Sequence, residues 1–150
     1  MKPQTSWANG KKVCPGCDAL KGESDFTKSV HGPSGFAFYC RECIRWQTIK
    51  ARYNLTRNEW LAIFALQGES CGACGTKDPK SKKGWHIDHD NTCCPTGKSC
   101  GDCIQGITCM PCGVWGDRVR APEFIAYRER TAALGQPIRT LVASLYQLTA

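Results

Sequence analysis

Two histidines and two carboxylates fall within six residues, His86-Ile87-Asp88-His89-Asp90-Asn91. Aspartate is a hard oxygen donor suited to Mg2+. A neutral histidine takes a proton from water near neutral pH. Side by side they offer a holder for a Lewis acid and a base, which metal-assisted phosphodiester hydrolysis requires. The competing reading makes His86 and His89 zinc ligands, or hydrogen-bonded polar residues of a hairpin. The chain has 12 cysteines, so it does not need histidines to complete zinc sites, and the chemical reading is favoured.

The cysteines are the second chemical signal. Five pairs are C-x2-C: Cys14/Cys17, Cys40/Cys43, Cys71/Cys74, Cys100/Cys103 and Cys109/Cys112. The sixth pair, Cys93-Cys94, is adjacent. A C-x2-C knuckle turns two sulfurs to one side, and two knuckles complete a tetrahedral Zn2+ site. Chain order pairs Cys14 and Cys17 with Cys40 and Cys43 as an N-terminal zinc ribbon. It pairs Cys71 and Cys74 with Cys109 and Cys112 around the His/Asp segment. Cys93, Cys94, Cys100 and Cys103 lie inside that second clamp. They are read either as a third site or as a loop of reactive or disulfide-paired thiols. Adjacent cysteines are awkward co-ligands, because successive side chains diverge.

The elements that must position these groups follow from local pattern. Residues 1–12 are polar and read as a flexible tail. Phe36-Ala37-Phe38-Tyr39 reads as a β-like run entering the second ribbon knuckle, after a turn at Gly32-Pro33-Ser34-Gly35. A helix is expected from about Glu42 to Tyr53, with Arg45 among its basic residues; that face either contacts phosphate or is merely solvated. Thr56-Arg57-Asn58-Glu59 matches a capping box. Trp60, Leu61, Ile63, Phe64 and Leu66 follow at helical spacing, and Gly68 stops the helix. Trp60 and Phe64 read as core rather than as base-stacking groups. Lys77 to Gly84 is a basic loop in which Lys80, Lys82 and Lys83 suit DNA-backbone contact; a solvated loop fits equally. Trp85 to Asp90 reads as a short strand. Pro122 opens a helix whose stripe ends at Gly135, and Pro137 opens another. These two helices are expected to form a hairpin or to meet across a homodimer interface.

Composition limits the classes available. Apolar residues make up 41% of the chain, too many for a disordered protein. No apolar run approaches a membrane span. The N-terminus lacks the apolar region of a signal peptide, which predicts a reducing cytoplasm, where paired cysteines hold metal more often than they form disulfides. Lys and Arg total 20 against 13 Asp and Glu, giving a formal charge of +7 and a mild signal for a polyanionic partner.

Cys71-x2-Cys74, then His86-Ile87-Asp88-His89-Asp90, then Gly106-Ile107-Thr108-Cys109-x2-Cys112 together resemble the phage recombination endonuclease VII family of HNH, or His-Me finger, nucleases. Tyr53-Asn54-Leu55-Thr56 and Gln67-Gly68 resemble the linker helix before its zinc site. The resemblance covers residues 13–117, and includes members with an N-terminal ribbon. It implies a small α+β zinc-stabilised protein: an N-terminal zinc ribbon plus a ββα-metal finger nuclease domain with C-terminal helices. The corresponding boundaries are 1–12 for the tail, 13–53 for ribbon and linker helix, 54–120 for the nuclease domain and 121–150 for a helical hairpin.

By position, the resemblance implies that Cys71, Cys74, Cys109 and Cys112 hold structural zinc. Asp88 would bind Mg2+ or another divalent cation, and His89 would be the general base. His86 becomes an orienting neighbour. Two positions depart from the family pattern. Asn91 stands where many members have a final His, and keeps only an amide that can hydrogen-bond phosphate. Gly113 stands where the family places a metal-binding Asn. Asp117, one helical turn on, is the substitute the sequence offers. The resulting expectation is a DNA endonuclease acting on duplex or branched DNA, in the host cytoplasm if phage-encoded. The alternatives are a zinc-stabilised nucleic-acid-binding module with weakened or lost catalysis, and a phage assembly protein.

Overall fold

The computed structural model describes residues 6–148. The chain divides into two compact units, Met1–Ile49 and Lys50–Ala150.

In the first unit, strands β1 (Lys11–Val13) and β2 (Leu20–Gly22) form an antiparallel hairpin with Lys12 opposite Lys21. Its turn is the first cysteine knuckle. The Cys14 N–H donates to Ala19 O at 2.9 Å, and Asp18 N–H to Cys14 O at 2.8 Å. A short 3-10 turn at Glu23–Asp25 follows, and another at Pro33–Gly35. The expected β-like run at Phe36–Tyr39 is not a strand: it makes one bridge, Phe36 to Lys28. The ribbon's hairpin surrounds the first knuckle instead, because the Cys14-Pro-Gly-Cys17 turn itself reverses the chain.

Of the tail expected for residues 1–12, residues 1–5 lie outside the described residues, and in the remainder Trp7 and Lys12 are packed while their neighbours are exposed. Trp7 meets Phe26 edge-on at 5.4 Å and Phe36 at 5.0 Å. Lys12 is buried, its Nζ donating to Ala37 O at 2.9 Å and lying 4.2 Å from the centroid of the Phe26 ring. A lysine tolerates burial when carbonyls and an aromatic face replace its water. These residues close a small core around Cys14, Phe26 and Cys40.

Helix α1 (Arg41–Tyr53) spans the boundary of the two units. In the second unit, α2 (Arg57–Leu66) opens with the expected capping box. Glu59 N–H donates to Thr56 Oγ1 at 3.2 Å, and Thr56 N–H to Glu59 Oε2 at 2.7 Å. Trp60 and Ile63 are buried. Phe64 lies 5.0 Å from both Trp60 and Trp85, so these aromatics do serve the core.

Strands β3 (His86–His89) and β4 (Ile104–Thr108) then pair antiparallel, followed by α3 (Met110–Val119), α4 (Pro122–Ala132) and α5 (Ile138–Tyr146). A two-stranded hairpin is marginal alone. Here Ile87, Ile104 and Ile107 are buried, and α2, α3, α4 and α5 all touch the hairpin or each other. The Gln67 side chain lies along β4, accepting from Ile107 N–H at 2.9 Å and donating to Ile107 O at 2.7 Å. The two C-terminal helices, expected to pair as a hairpin, make their main contacts with other elements. Helix α5 packs on α2 and β4, and α4 packs on α3 and β4. Their apolar stripes find partners within the unit because the small sheet leaves its faces uncovered.

Candidate active site and cysteine clusters

The hairpin and α3 build the site. His86 faces Thr108, Ile87 faces Ile107 and Asp88 faces Gly106; an irregularity between Asp88 and His89 then brings His89 opposite Ile104. A bulge of this kind re-aims the side chains beside it. Asp88 is only 4% exposed. Tyr127 Oη donates to its Oδ2 at 3.1 Å, and Arg128 Nη2 pairs with its Oδ1 at 3.3 Å. Burial, and then the Asp88 charge, hold the Tyr127 phenol well above its ordinary pKa, so it stays a donor. Gly106 makes this approach possible: a Cβ there would lie 2.7 Å from Tyr127 Oη.

Burial pulls the His89 pKa down and the Arg52 charge adds to this; a hydrogen bond to the Ile87 backbone works in the opposite direction. The imidazole is therefore neutral near pH 7. Its Nε2 is buried with no hydrogen-bond partner among the described residues. The ring packs edge-on to Tyr53 at 5.8 Å. His86 is also held neutral, by burial and then by His89. Its ring fills the space above Gly113: a Cβ there would sit 2.1 Å from His86 Cδ2. A residue with a side chain at 113, such as the Asn of the family pattern, does not fit this arrangement.

The other expected site residues are more dispersed. Asn91 is exposed in the turn after β3. Asp90 beside it caps that turn through Thr92, and its N–H donates to Cys103 O at 3.0 Å. Lys80, Lys82 and Lys83 are exposed on the loop before β3, which touches α3 where Met110 N–H donates to Pro79 O at 2.9 Å. Arg45 is exposed in the first unit, 5.3 Å from the Trp46 ring. The Asp117 side chain lies outside the described residues. Sequence reasoning missed Tyr127 and Arg128. They lie 39 and 40 residues beyond Asp88, and Tyr127 reads as one more apolar position of a helical stripe.

Three groups of four cysteines converge, each with its sulfurs within 4.8 Å of one another: Cys14/Cys17/Cys40/Cys43, Cys71/Cys74/Cys109/Cys112 and Cys93/Cys94/Cys100/Cys103. Sulfurs about 2.3 Å from a central zinc stand about 3.8 Å apart at the corners of a tetrahedron. The observed separations are 3.8 Å for Cys14–Cys43, 3.8 Å for Cys74–Cys109 and 4.0 Å for Cys93–Cys100. A disulfide would need about 2.05 Å. Each cluster could thus hold a zinc ion. Backbone amides favour the thiolate at Cys14 and Cys100, whereas burial raises Cys43, Cys109 and Cys112 and a neighbouring thiol raises Cys93. Burial pushes the Cys14 thiol up, but the Cys40 and Gly16 amides bring it down to about 7. Amides of Cys103 and Asp102 bring Cys100 to about 7 as well. The adjacent Cys93 and Cys94 do share a cluster, because the turn between β3 and β4 brings their sulfurs to 3.9 Å.

A small α+β chain, its cysteine clusters able to hold zinc around a hairpin and helix bearing a buried Asp and a His, has the build of a zinc-stabilised nuclease. The chain belongs to the recombination endonuclease VII family, whose family model matches residues 46–130. Comparison with curated proteins and with solved structures finds no match. Membership supports nuclease activity and a nucleic-acid substrate. Among the described residues, no helix is long and apolar enough to cross a membrane.

Proposed function

We propose that the protein is an HNH-type endonuclease that hydrolyses DNA phosphodiesters, duplex or branched, with His89 as general base and Asp88 as ligand of a divalent cation. The reading rests on the His89 Nε2 atom, buried and without a hydrogen-bond partner among the described residues, next in sequence to the buried Asp88 carboxylate. Such an acceptor suits a water molecule awaiting deprotonation.

Mg2+ fits this donor set, since it is commonly held by one or two carboxylates together with waters and substrate phosphate. When bound at Asp88 it supplies Lewis-acid stabilisation of the scissile phosphate. The residues do the rest. The Ile87 backbone orients the His89 ring, and Tyr127 fixes one Asp88 oxygen. Asn91 offers an amide to phosphate, and Lys80, Lys82 and Lys83 hold the DNA backbone. Arg45, exposed in the first unit, is a separate candidate for contact with a DNA backbone. Zinc in the cysteine clusters fixes the fold rather than doing chemistry.

The test is a cleavage panel of supercoiled, linear and branched DNA with Mg2+. Nicking or cutting is expected, and His89→Ala is expected to abolish it while the protein still folds. An active His89→Ala protein refutes the base assignment. The bare Gly113 favours one second reading, a DNA-binding descendant without catalysis. It predicts salt-dependent binding with no cleavage in Mg2+, Mn2+ or Ni2+.

A further inference from the structure

We infer that Arg128 is a catalytic residue: its guanidinium binds the scissile phosphate beside Asp88 and stabilises the charge that develops there. The inference rests on the nuclease reading above.

In the reaction, water transfers a proton to His89 Nε2 as its oxygen bonds to phosphorus. The bond from phosphorus to the leaving 3′ oxygen breaks, and that oxygen takes a proton from solvent. Phosphorus-bound oxygens gain negative charge along the way, and fixed cations aimed at that charge are worth most in a shielded site. A single divalent ion on Asp88 leaves part of that charge unmatched. Neither nearby candidate position supplies a second cation, because Asn91 is neutral and Gly113 has no side chain.

Two guanidiniums act electrostatically on His89, those of Arg52 and Arg128. Arg52 is committed elsewhere. Its Nε donates to Gly97 O at 3.3 Å and its guanidinium lies 5.4 Å from the Tyr53 ring. Arg128 is placed differently. It rises from α4 along the Phe124 ring, 5.1 Å from the centroid, and ends 3.3 Å from Asp88 Oδ1. Its side chain is a quarter exposed, whereas that of Asp88 is 5% exposed. The arginine is thus the more solvent-accessible partner of the pair, and a phosphate that reaches Asp88 would meet its guanidinium there. The planar fork of arginine matches two phosphate oxygens at once, which a lysine does not. Ion pairing with Asp88 keeps it aimed before substrate arrives.

The test compares wild type, Arg128→Met and Arg128→Lys. It measures plasmid nicking in Mg2+, Mn2+ affinity by calorimetry and thermal unfolding. Removing one charge-stabilising donor from an active site costs on the order of 10²-fold or more in kcat. Arg128→Met is expected to lose that much, with KM changing less than about threefold. Its Mn2+ affinity should hold or rise, since a competing cation has left Asp88. Arg128→Lys keeps the charge and the fold, and is expected to cut at an intermediate rate. The inference is overturned if Arg128→Met cuts within about threefold of wild type. It is also overturned if Arg128→Lys cuts at the full rate, or if the Met variant loses Mn2+ binding and thermal stability in step with activity, which is the signature of a structural prop. An inert wild type refutes the nuclease reading itself, and Arg128 with it; an active wild type whose Met variant is equally active refutes Arg128 alone.

Discussion

Gly113→Ala would place a methyl carbon 2.1 Å from His86 Cδ2 and 2.7 Å from Thr108 Oγ1, both far inside contact distance. Two effects oppose each other. Alanine in a helix interior is favoured over glycine by about 1 kcal/mol. Overpacking a filled site costs about 1–3 kcal/mol. Because the ring sits so close, and is itself packed between β3 and α3, the upper end of that range applies. The net expectation is a loss of about 2 kcal/mol. In a unit of roughly this size that lowers the midpoint by about 8–16 °C. The assay is thermal unfolding of zinc-loaded protein for wild type, Gly113→Ala, His86→Ala and the double variant. Removing the His86 ring gives the methyl group room and lets Thr108 rotate. In that background Gly113→Ala should be neutral or stabilising, giving a coupling of about 2–3 kcal/mol. A Gly113→Ala protein that melts at or above wild type would refute the packing argument. So would a double variant whose loss is the sum of the single losses.

The remaining predictions are narrower. Thr56→Ala removes the side-chain half of the α2 capping box and should cost about 1 kcal/mol, read by denaturant unfolding; an unchanged midpoint contradicts the cap's role. Cys100→Ser should release the ion of the loop cluster while the other two of the three clusters stay filled. Elemental analysis checks this, and unchanged zinc content would show that the loop thiols hold none.

Much of the fold was legible because its signals are local. The Thr56/Glu59 box, the Gly68 stop, Pro122 and the C-x2-C knuckles each act within a few residues, and each marks a real feature. The candidate site is contiguous in sequence at Asp88 and His89, and β3 carries both. Other features depend on groups distant in sequence. Tyr127 reaches Asp88 because Gly106 clears a path, Arg128 comes with it from the same helix, and no pattern within α4 announces either. Lys12 reads as a tail residue because its aromatic and carbonyl partners come from Phe26 and Ala37. The Phe36–Tyr39 run has strand composition, but its place in the ribbon core is decided by packing on Trp7 and Cys40 rather than by propensity. The C-terminal stripes gave the helices correctly but not their partners, since amphipathicity shows that a face is buried without saying against what.

The Gln67 amide has a bearing on solubility. A strand with free backbone groups along its margin invites a strand from another molecule, a common beginning of aggregation. At Ile107 both the N–H and the C=O are already met by this one side chain, which supplies the two hydrogen bonds a neighbouring strand would offer. Gly72 N–H adds a third hydrogen bond, at 2.9 Å to the same carbonyl. A helix-ending glutamine thus stops the sheet at two strands, and the hairpin that bears Asp88 and His89 is denied to passing chains at this margin.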